Sequence, residues 1–181
     1  MPIFVSILRG INVGGRNMIG MAALADVYAG VGLTSVRTLL QSGNVVFRSG
    51  PVSRARLVTR LQDTIDKRFG IRPEIILRSP EELRAAVAAN PFPEVARDDP
   101  SHLLIMFLDR QPAAEGMATL DAFKWPERVK LVGKDLYAHY PEGIARSKLT
   151  NALIEKTLKA RGTARNWNTL NKLLQACSAL D

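Results

Sequence analysis

The stretch VRTLLQSGNVVFR, residues 36–48, has the pattern of a β-hairpin. Two runs rich in β-branched and apolar residues, Val36–Leu40 and Val45–Arg48, flank four turn residues. Within that turn, Gly43 and Asn44 tolerate the positive φ angles that tight hairpin turns require. We therefore predict two antiparallel strands joined by a short turn.

The segments on either side extend this hairpin into a larger pattern. Before it come an apolar run, Ile3–Leu8, and a helical pattern that ends near Gly32. After it come an amphipathic helix, for which Ser53 is a suitable cap, and a strand at Glu74–Arg78. The resulting order, βαββαβ, predicts a ferredoxin-like subdomain over residues 1–78.

Residues 79–181 are expected to form a second α+β subdomain. Ser79 is a suitable cap for a helix with acidic residues in its first turn. The remaining predicted elements are a strand at Leu103–Leu108, a helix at Ala113–Phe123, a hairpin around Gly133-Lys134, and two closing helices at Ser147–Ala160 and Thr169–Leu180. This strand–helix–hairpin–helix order echoes the first half, so the predicted class is α+β with two subdomains.

Composition excludes several classes of protein. The 181 residues are 46% hydrophobic and 23% charged, which is typical of a globular chain rather than a disordered one. No apolar run reaches the roughly 18 residues that span a bilayer, and the N-terminal apolar run lacks the features of a secretion signal. The single cysteine, Cys177, fits a reducing compartment and an inert buried thiol. We expect a cytoplasmic protein.

The net charge of +8 is unevenly distributed along the chain. Residues 1–78 carry 11 basic and 4 acidic side chains, whereas residues 79–143 carry 7 basic and 11 acidic ones. Residues 144–181 are basic again, with 7 against 2. An anionic partner is one interpretation of this pattern. The alternative is a basic protein whose arginines only solvate its surface.

A glycine-rich loop follows the first predicted strand and supplies the first candidate site. In a βαββαβ sheet, this loop lies at the same end as the turn between strands two and three, so the two are expected to converge. Unpaired backbone N–H groups near a helix start favour anions. The candidate ligand-binding residues here are Arg9, Asn12, Gly14, Gly15, Arg16, Asn17, Ser42, Gly43 and Asn44. A purely structural role also stays open, in which the glycines allow a bend and Asn17 caps the helix.

A second candidate group surrounds the predicted starts of the two C-terminal helices, which are favourable positions for an anion. Ser147 is the expected cap of the first helix, and Asn168 or Thr169 that of the second. Trp167 is either a structural plug or a stacking surface for a base. The candidate residues in this group are Arg146, Ser147, Lys148, Arg165, Asn166, Trp167 and Asn168.

Three segments resemble a known family: LRGINVGGRNMIGMAAL, VRTLLQSGNVVF and IARSKLTNALIEKTLKARGTARNWNTLNKLL. They are similar to the signatures of the domain-of-unknown-function 1697 family (DUF1697). The resemblance implies a bacterial-type cytoplasmic protein of two α+β subdomains, the first of them ferredoxin-like. It implies no activity, cofactor or catalytic residue. Arg16 stands where lysine is common in the family, which keeps a positive charge.

Catalytic patterns are hard to find in this sequence. His102 and His139 are the only histidines, and neither neighbours a motif serine or Cys177. No metal-ligand spacing occurs, so we expect neither a metal nor a cofactor. Whether the protein is an enzyme stays open.

Two functional hypotheses follow from these observations. In the first, both candidate groups line one cleft that binds a phosphate-bearing small molecule or a nucleotide. In the second, the basic ends contact a nucleic-acid backbone. Both faces of strand one are largely apolar, so we expect both to be covered, which argues against an open RNA-binding sheet in which Phe4 and Phe47 stack on bases.

Overall fold

The computed structural model describes residues 1–180, and their close contacts divide the chain into two units. The first unit comprises Met1–Arg84 together with the C-terminal residues from Lys172 onward. The second unit comprises Ala85–Asn171. Among residues 1–180, no helix is both long enough and apolar enough to cross a lipid bilayer.

The first unit has the predicted ferredoxin-like topology. Its sheet is antiparallel with strand order β2-β3-β1-β4, so β1 and β2 run parallel with β3 between them. The elements are β1 (Ile3–Leu8), α1 (Met21–Gly30), β2 (Thr34–Leu39), β3 (Asn44–Arg48), α2 (Arg54–Phe69) and β4 (Ile75–Arg78).

Local signals place the ends of these elements. The Ser53 hydroxyl accepts a hydrogen bond from the Arg56 N–H and caps α2, as predicted. Gly70 ends that helix in the left-handed conformation, with φ 67°. The next helix, α3 (Pro80–Ala88), begins with a reciprocal capping box between Ser79 and Glu82, at 2.7 and 3.3 Å.

The second unit repeats the same topology. Its sheet has strand order β6-β7-β5-β8, with every pair antiparallel. The elements are α4 (Pro93–Asp98), β5 (Leu103–Leu108), α5 (Ala114–Asp121), β6 (Arg128–Val132), β7 (Asp135–His139), α6 (Asn151–Leu158) and β8 (Gly162–Asn166). The last helix, α7 (Trp167–Ser178), begins in this unit, and its residues from Lys172 onward belong to the first unit. A single 3₁₀ turn, Ile144–Arg146, precedes α6.

The two sheets also share one pairing register. Val5 pairs with Arg78 in the first sheet, and Ile105 pairs with Arg165 at the corresponding position of the second. Every pairing of β1 with β3 and β4 has a counterpart in the pairing of β5 with β7 and β8. The second unit is therefore a structural repeat of the first, and loops can be compared between them position by position.

Three predictions about the C-terminal elements were wrong. The segment between the last two helices contains a strand, β8, which the sequence did not indicate because its residues are mostly polar. Pairing with β5 overrides that weak local preference. Helix α6 is shorter than predicted and is capped by Thr150, not Ser147. Helix α7 is capped by Asn166, whose side-chain oxygen accepts from the Thr169 N–H at 2.9 Å, and not by Asn168 or Thr169. Helix α4 was also missed.

Both faces of β1 are covered, as predicted. Val5 and Ile7 are fully buried on one face, and Leu8 is buried on the other, within the core formed with α1 and α2. Phe47 is fully buried in that core and meets the Tyr28 ring edge-on, with centroids 5.3 Å apart. Within the described residues, β1 therefore presents no open sheet face for stacking on RNA bases.

The buried Ser6–Tyr28 hydrogen bond is the polar contact inside this core. The two hydroxyl oxygens are 2.6 Å apart, neither residue is exposed, and burial raises the pKa of Tyr28. Cys177 is also fully buried, as its position on an apolar helix face predicted.

Replacing Tyr28 with Phe should lower the free energy of unfolding by about 1–3 kcal/mol, because the Ser6 hydroxyl is left buried without a partner. Urea denaturation measures this loss. The double variant Ser6→Ala/Tyr28→Phe should lose less than the sum of the two single changes. Additive losses would contradict a coupled hydrogen bond.

Candidate functional site

The loop between β1 and α1 folds into a miniature hairpin. The Arg16 N–H donates to the Val13 oxygen at 3.0 Å, and the Asn12 N–H donates to the Asn17 oxygen at 3.1 Å. Gly14 and Gly15 form the apex with φ angles of 58° and 74°, as in a two-residue turn of type I′. We call residues 13–18 the tip, and all of them are exposed.

The side chain of Asn12 fixes this loop to its surroundings. Its amide nitrogen donates to the Ile19 oxygen at 3.0 Å and to the Gln41 oxygen at 2.7 Å, while its oxygen accepts from the Ile19 N–H at 2.7 Å. Asn17 donates to the Gly10 oxygen at 2.8 Å. The bond to Gln41 joins the loop to the β2–β3 turn, so the predicted convergence of the two segments is confirmed.

The β2–β3 turn packs closely beneath the loop. A side-chain Cβ at Gly43 would lie 2.6 Å from the Ile11 Cδ1 atom and 2.9 Å from the Leu8 Cβ atom, and its φ is 77°. Asn44 is fully buried and donates to the Leu39 oxygen at 2.9 Å and to the Ser42 hydroxyl at 3.0 Å. These residues shape the turn and do not face solvent.

The glycines do not sit at a helix start, contrary to prediction. Helix α1 begins at Met21, its N-cap is Gly20, and no side chain caps it. Asn17 is therefore not the cap; it is held in the left-handed conformation, φ 51°, by the hairpin. The extra residues between the hairpin and the helix separate the Gly14–Gly15 apex from the helix end.

The two arginines of the loop differ in their surroundings. Arg9 lies at the base of the loop and forms an ion pair with Glu74 at 3.1 Å. Arg16 lies on the tip, and its guanidinium contacts no acid or hydrogen-bond acceptor within residues 1–180. Arg16 is thus the cation of this loop that an external anion can reach without displacing an acid.

The repeated fold shows that the tip is not needed to connect a strand to a helix. Residues 9–20 make this connection in the first unit, whereas residues 109–113 make it in the second. The strands beneath are tied alike: the Leu8 N–H donates to Gly43 at 2.8 Å, and the Leu108 N–H donates to Lys134 at 3.0 Å. The additional residues of the first loop therefore need an explanation other than chain connection.

The second candidate group lies in the second unit. The Ser147 hydroxyl accepts from the Leu149 N–H at 2.9 Å and shapes the turn before α6. Arg146 and Lys148, on either side, are exposed, and their charged groups have no partner within the part of the chain that the structure describes. These two cations are open to solvent.

The remaining residues of this group are mainly built into the fold. Arg165 donates to the Thr163 hydroxyl at 2.9 Å and to the Ala164 oxygen at 2.8 Å, and burial lowers its pKa to about 10. Trp167 is buried, which favours the structural plug over a stacking surface. Asn168 is exposed in the first turn of α7.

The two candidate groups fall in different units of the chain. Within the first, the hydrogen bonds bring together the residues of loop and turn. In the second, β7, which leads into the turn before α6, and β8 end at the same edge of the sheet, because Leu103 pairs with His139 and Leu104 with Asn166. A single cleft lined by both groups stays a prediction.

A cluster of Asp99, His102 and His139 was missed from the sequence. The His102 Nδ1 atom lies 2.8 Å from one Asp99 oxygen, and the His139 Nε2 atom lies 3.1 Å from the other. His139 Nδ1 is buried without a hydrogen-bond partner among residues 1–180. The hydrogen bond from His139, and to a smaller extent that from His102, holds the pKa of Asp99 below its usual range.

The strand register could have revealed part of this cluster. His139 ends β7 opposite Leu103, so His102, one residue earlier, had to lie near it once β5 and β7 were paired. Nothing in the sequence indicated Asp99, because it follows α4, a helix that was not predicted. Among the described residues, no group of three such side chains is arranged to hold a metal ion.

Comparisons with known proteins agree on the fold and give no activity. The family model described as protein of unknown function (DUF1697) matches residues 1–137. No curated protein matches the chain. The conserved bacterial protein SP0830 from Streptococcus pneumoniae is similar in structure, with a TM-score of 0.75 and 23% sequence identity over 97% of this chain and 98% of that one. At this identity the likeness extends to the fold alone.

Replacing Gly43 with Ala should lower the free energy of unfolding by about 3–4 kcal/mol, because the new methyl group meets Ile11 and Leu8 at a positive φ. Gly14→Ala is the matched control, since it also has a positive φ but no atom within 4 Å. It should cost about 1 kcal/mol. Equal losses in thermal or urea unfolding would show that backbone strain alone matters at both sites.

Replacing Asp99 with Asn should destabilise the protein most at neutral pH. The folded pKa of Asp99 is lowered, so its contribution is fully present above the unfolded value and is lost as pH falls through the folded one. Urea unfolding at pH 7, 5 and 3 should show the gap between wild type and variant narrowing with acid. Asp121→Asn, an exposed acid on α5, is the control. A gap independent of pH would contradict the assignment.

Proposed function

We propose a function from the geometry, since this chain belongs to DUF1697, a family of proteins of unknown function, and membership supplies no activity. The protein binds nucleic acid by contacting the phosphate groups of the nucleic acid. The contacts are made by the exposed cations of the two motif groups: Arg16 on the tip, and Arg146 and Lys148 before α6. In this role the three side chains bind phosphates and break no bond.

The observation that supports this proposal is the presence, in both motif groups, of exposed cations that have no acidic partner in the described part of the chain. Arg16, Arg146 and Lys148 are exposed and have no partner within residues 1–180. Many arginines elsewhere lie beside an acid: Arg54 beside Glu82, Arg68 beside Asp26, Arg72 beside Asp63, Arg84 beside Glu81, Arg97 beside Asp98, Arg110 beside Asp109 and Arg128 beside Glu94. A cation that is paired with an acid must give up that ion pair to bind an external phosphate. An unpaired cation binds the phosphate with release of counterions alone.

The shape of the tip favours an extended partner over an enclosed one. Small-molecule sites are concave and bury most of the ligand. The tip is instead a run of six exposed residues around a two-residue turn, and Asn12, Gly43 and Asn44 beneath it are occupied by internal contacts. A phosphate chain that passes over the surface can reach Arg16 without entering a cavity.

A phosphate-bearing small molecule or nucleotide is the second candidate. The observation in its favour is confined to the second unit, where Arg146 and Lys148 flank one short turn directly before the N-terminus of α6. The positive end of a helix and two nearby cations suit a single phosphate group.

Fluorescence anisotropy with labelled duplex and single-stranded oligonucleotides, measured from 50 to 300 mM salt, tests the proposal. We expect length-dependent binding that weakens steeply with salt. Each phosphate contact removed should reduce the slope of log K against log salt by about 1. The triple variant Arg16→Gln/Arg146→Gln/Lys148→Gln should therefore lose most of the affinity while keeping the wild-type melting temperature.

The control variant removes the same charge from a different surface. Arg56, Arg60 and Lys67 are exposed on α2, so the change of all three to Gln matches the loss of three positive charges. It should weaken binding far less. An equal loss would show only a general attraction to positive charge. A thermal shift with nucleotides or pyrophosphate, without any oligonucleotide binding, would favour the second candidate instead.

A further inference from the structure

We propose that the tip also makes apolar contact with the nucleic acid, in a groove of a duplex, through Val13, Met18 and Leu40. We call these three residues and Arg16 the tip patch. This inference rests on the proposed function and adds to it a contact that carries no charge. Its consequence is a component of the binding free energy that does not depend on salt.

Three large apolar side chains of this patch are exposed to solvent. Val13 is 63% exposed, Met18 is 65% exposed and Leu40, in the turn that Asn12 joins to the loop, is 46% exposed. Exposed apolar side chains grouped at one place indicate an interaction surface. The second unit makes the equivalent strand-to-helix connection with residues 109–113, which include no exposed large hydrophobic residue.

The backbone that carries the patch is unusually constrained. Left-handed φ angles occur at Gly10, Asn12, Gly14, Gly15, Asn17, Leu40 and Gly43, all within the loop and the adjoining turn. For Leu40, whose φ is 58°, this conformation is costly, because its side chain has none of the freedom of glycine. Strained residues persist where the surrounding structure holds them, and they concentrate at binding sites. The hydrogen bonds of Asn12 and Asn17 hold this backbone, which reduces the entropy lost on binding.

Composition selects a duplex groove among the possible partners. Residues 9–20 contain two arginines and no acidic residue, so the patch lies in a positive field that favours a negatively charged partner, such as the phosphate backbone of the proposed function, over a basic protein. The same residues include no aromatic side chain, whereas proteins that hold single strands stack bases on aromatic rings. Aliphatic side chains beside an arginine are instead the combination that inserts into duplex grooves. The Gly14–Gly15 apex has no side chain to obstruct entry.

The charged and apolar residues of the patch make different contacts, and the salt dependence of the affinity distinguishes them. Arg16 meets phosphate, so Arg16→Gln should reduce the salt slope by about 1. Val13 and Met18 meet sugars and base edges, so Val13→Ser/Met18→Ser should weaken duplex binding about tenfold with the slope unchanged. Val132→Ser is the matched control, because Val132 is 41% exposed on a different hairpin, and it should leave affinity unaltered.

Anisotropy titrations of the full chain against one duplex and one single strand of equal length measure these effects, with thermal melting as a check of folding. Met18→Leu should bind like wild type, because it keeps an apolar side chain of similar size. Unchanged affinity of Val13→Ser/Met18→Ser, a reduced salt slope in that variant, or preference for the single strand would each overturn the inference while the proposed function stands. Absence of any oligonucleotide binding by wild type would remove both.

Discussion

The Asn12 side chain is the constraint on which the candidate site of the first unit depends. It satisfies two backbone carbonyls and one N–H group with a single amide, and in doing so joins a loop to the turn of a neighbouring hairpin. Aspartate in its place could accept from Ile19 but could not donate to either carbonyl. Beside this junction Ile11 lies over Gly43, where no larger residue fits. The fixed tip, with its exposed cation and apolar residues, follows from these contacts.

Comparison of the two repeats distinguishes the features that the fold requires from those that only one unit has. Two βαββαβ sheets with the same pairing register need the same strands and the same hydrogen bonds at their strand ends, and they have them. The long loop of the first unit and the Asp99 cluster of the second have no counterpart at the equivalent positions. Such differences between two copies of one fold are where individual roles are expected, since folds themselves do not fix function.

The first half of the fold could be predicted because its signals are local and agree with one another. A glycine-containing hairpin turn, a serine cap and short apolar strand segments all indicate the same topology, and each depends on residues close in sequence. Strand β8 was not predicted because its sequence, Gly-Thr-Ala-Arg-Asn, has little strand character. It forms a strand by pairing with β5. The cap of α6 was predicted at Ser147 but is Thr150, because Ser147 instead ends the 3₁₀ turn that precedes the helix.

The candidate site could be predicted in outline but not in detail. Sheet topology was sufficient to bring the loop and the turn together. It could not show that Asn12, Asn17 and Asn44 would be used by the backbone, since that depends on side-chain directions within the loop. Nor could it distinguish Arg9, which has an acid beside it, from Arg16, which has none within the described residues. The Asp99 cluster requires a helix and a strand register to be known together, which a single sequence does not supply.

The burial of Cys177 gives this chain an internal reporter of its own motions. It is the sole thiol of the sequence and lies on α7 with no surface exposed to solvent. A thiol reagent can therefore modify the folded protein only during moments when the C-terminal helix is displaced or the chain unfolds. The rate of labelling measures how often that happens, without an engineered probe. A chain with one buried thiol is in this respect already suited to the experiment.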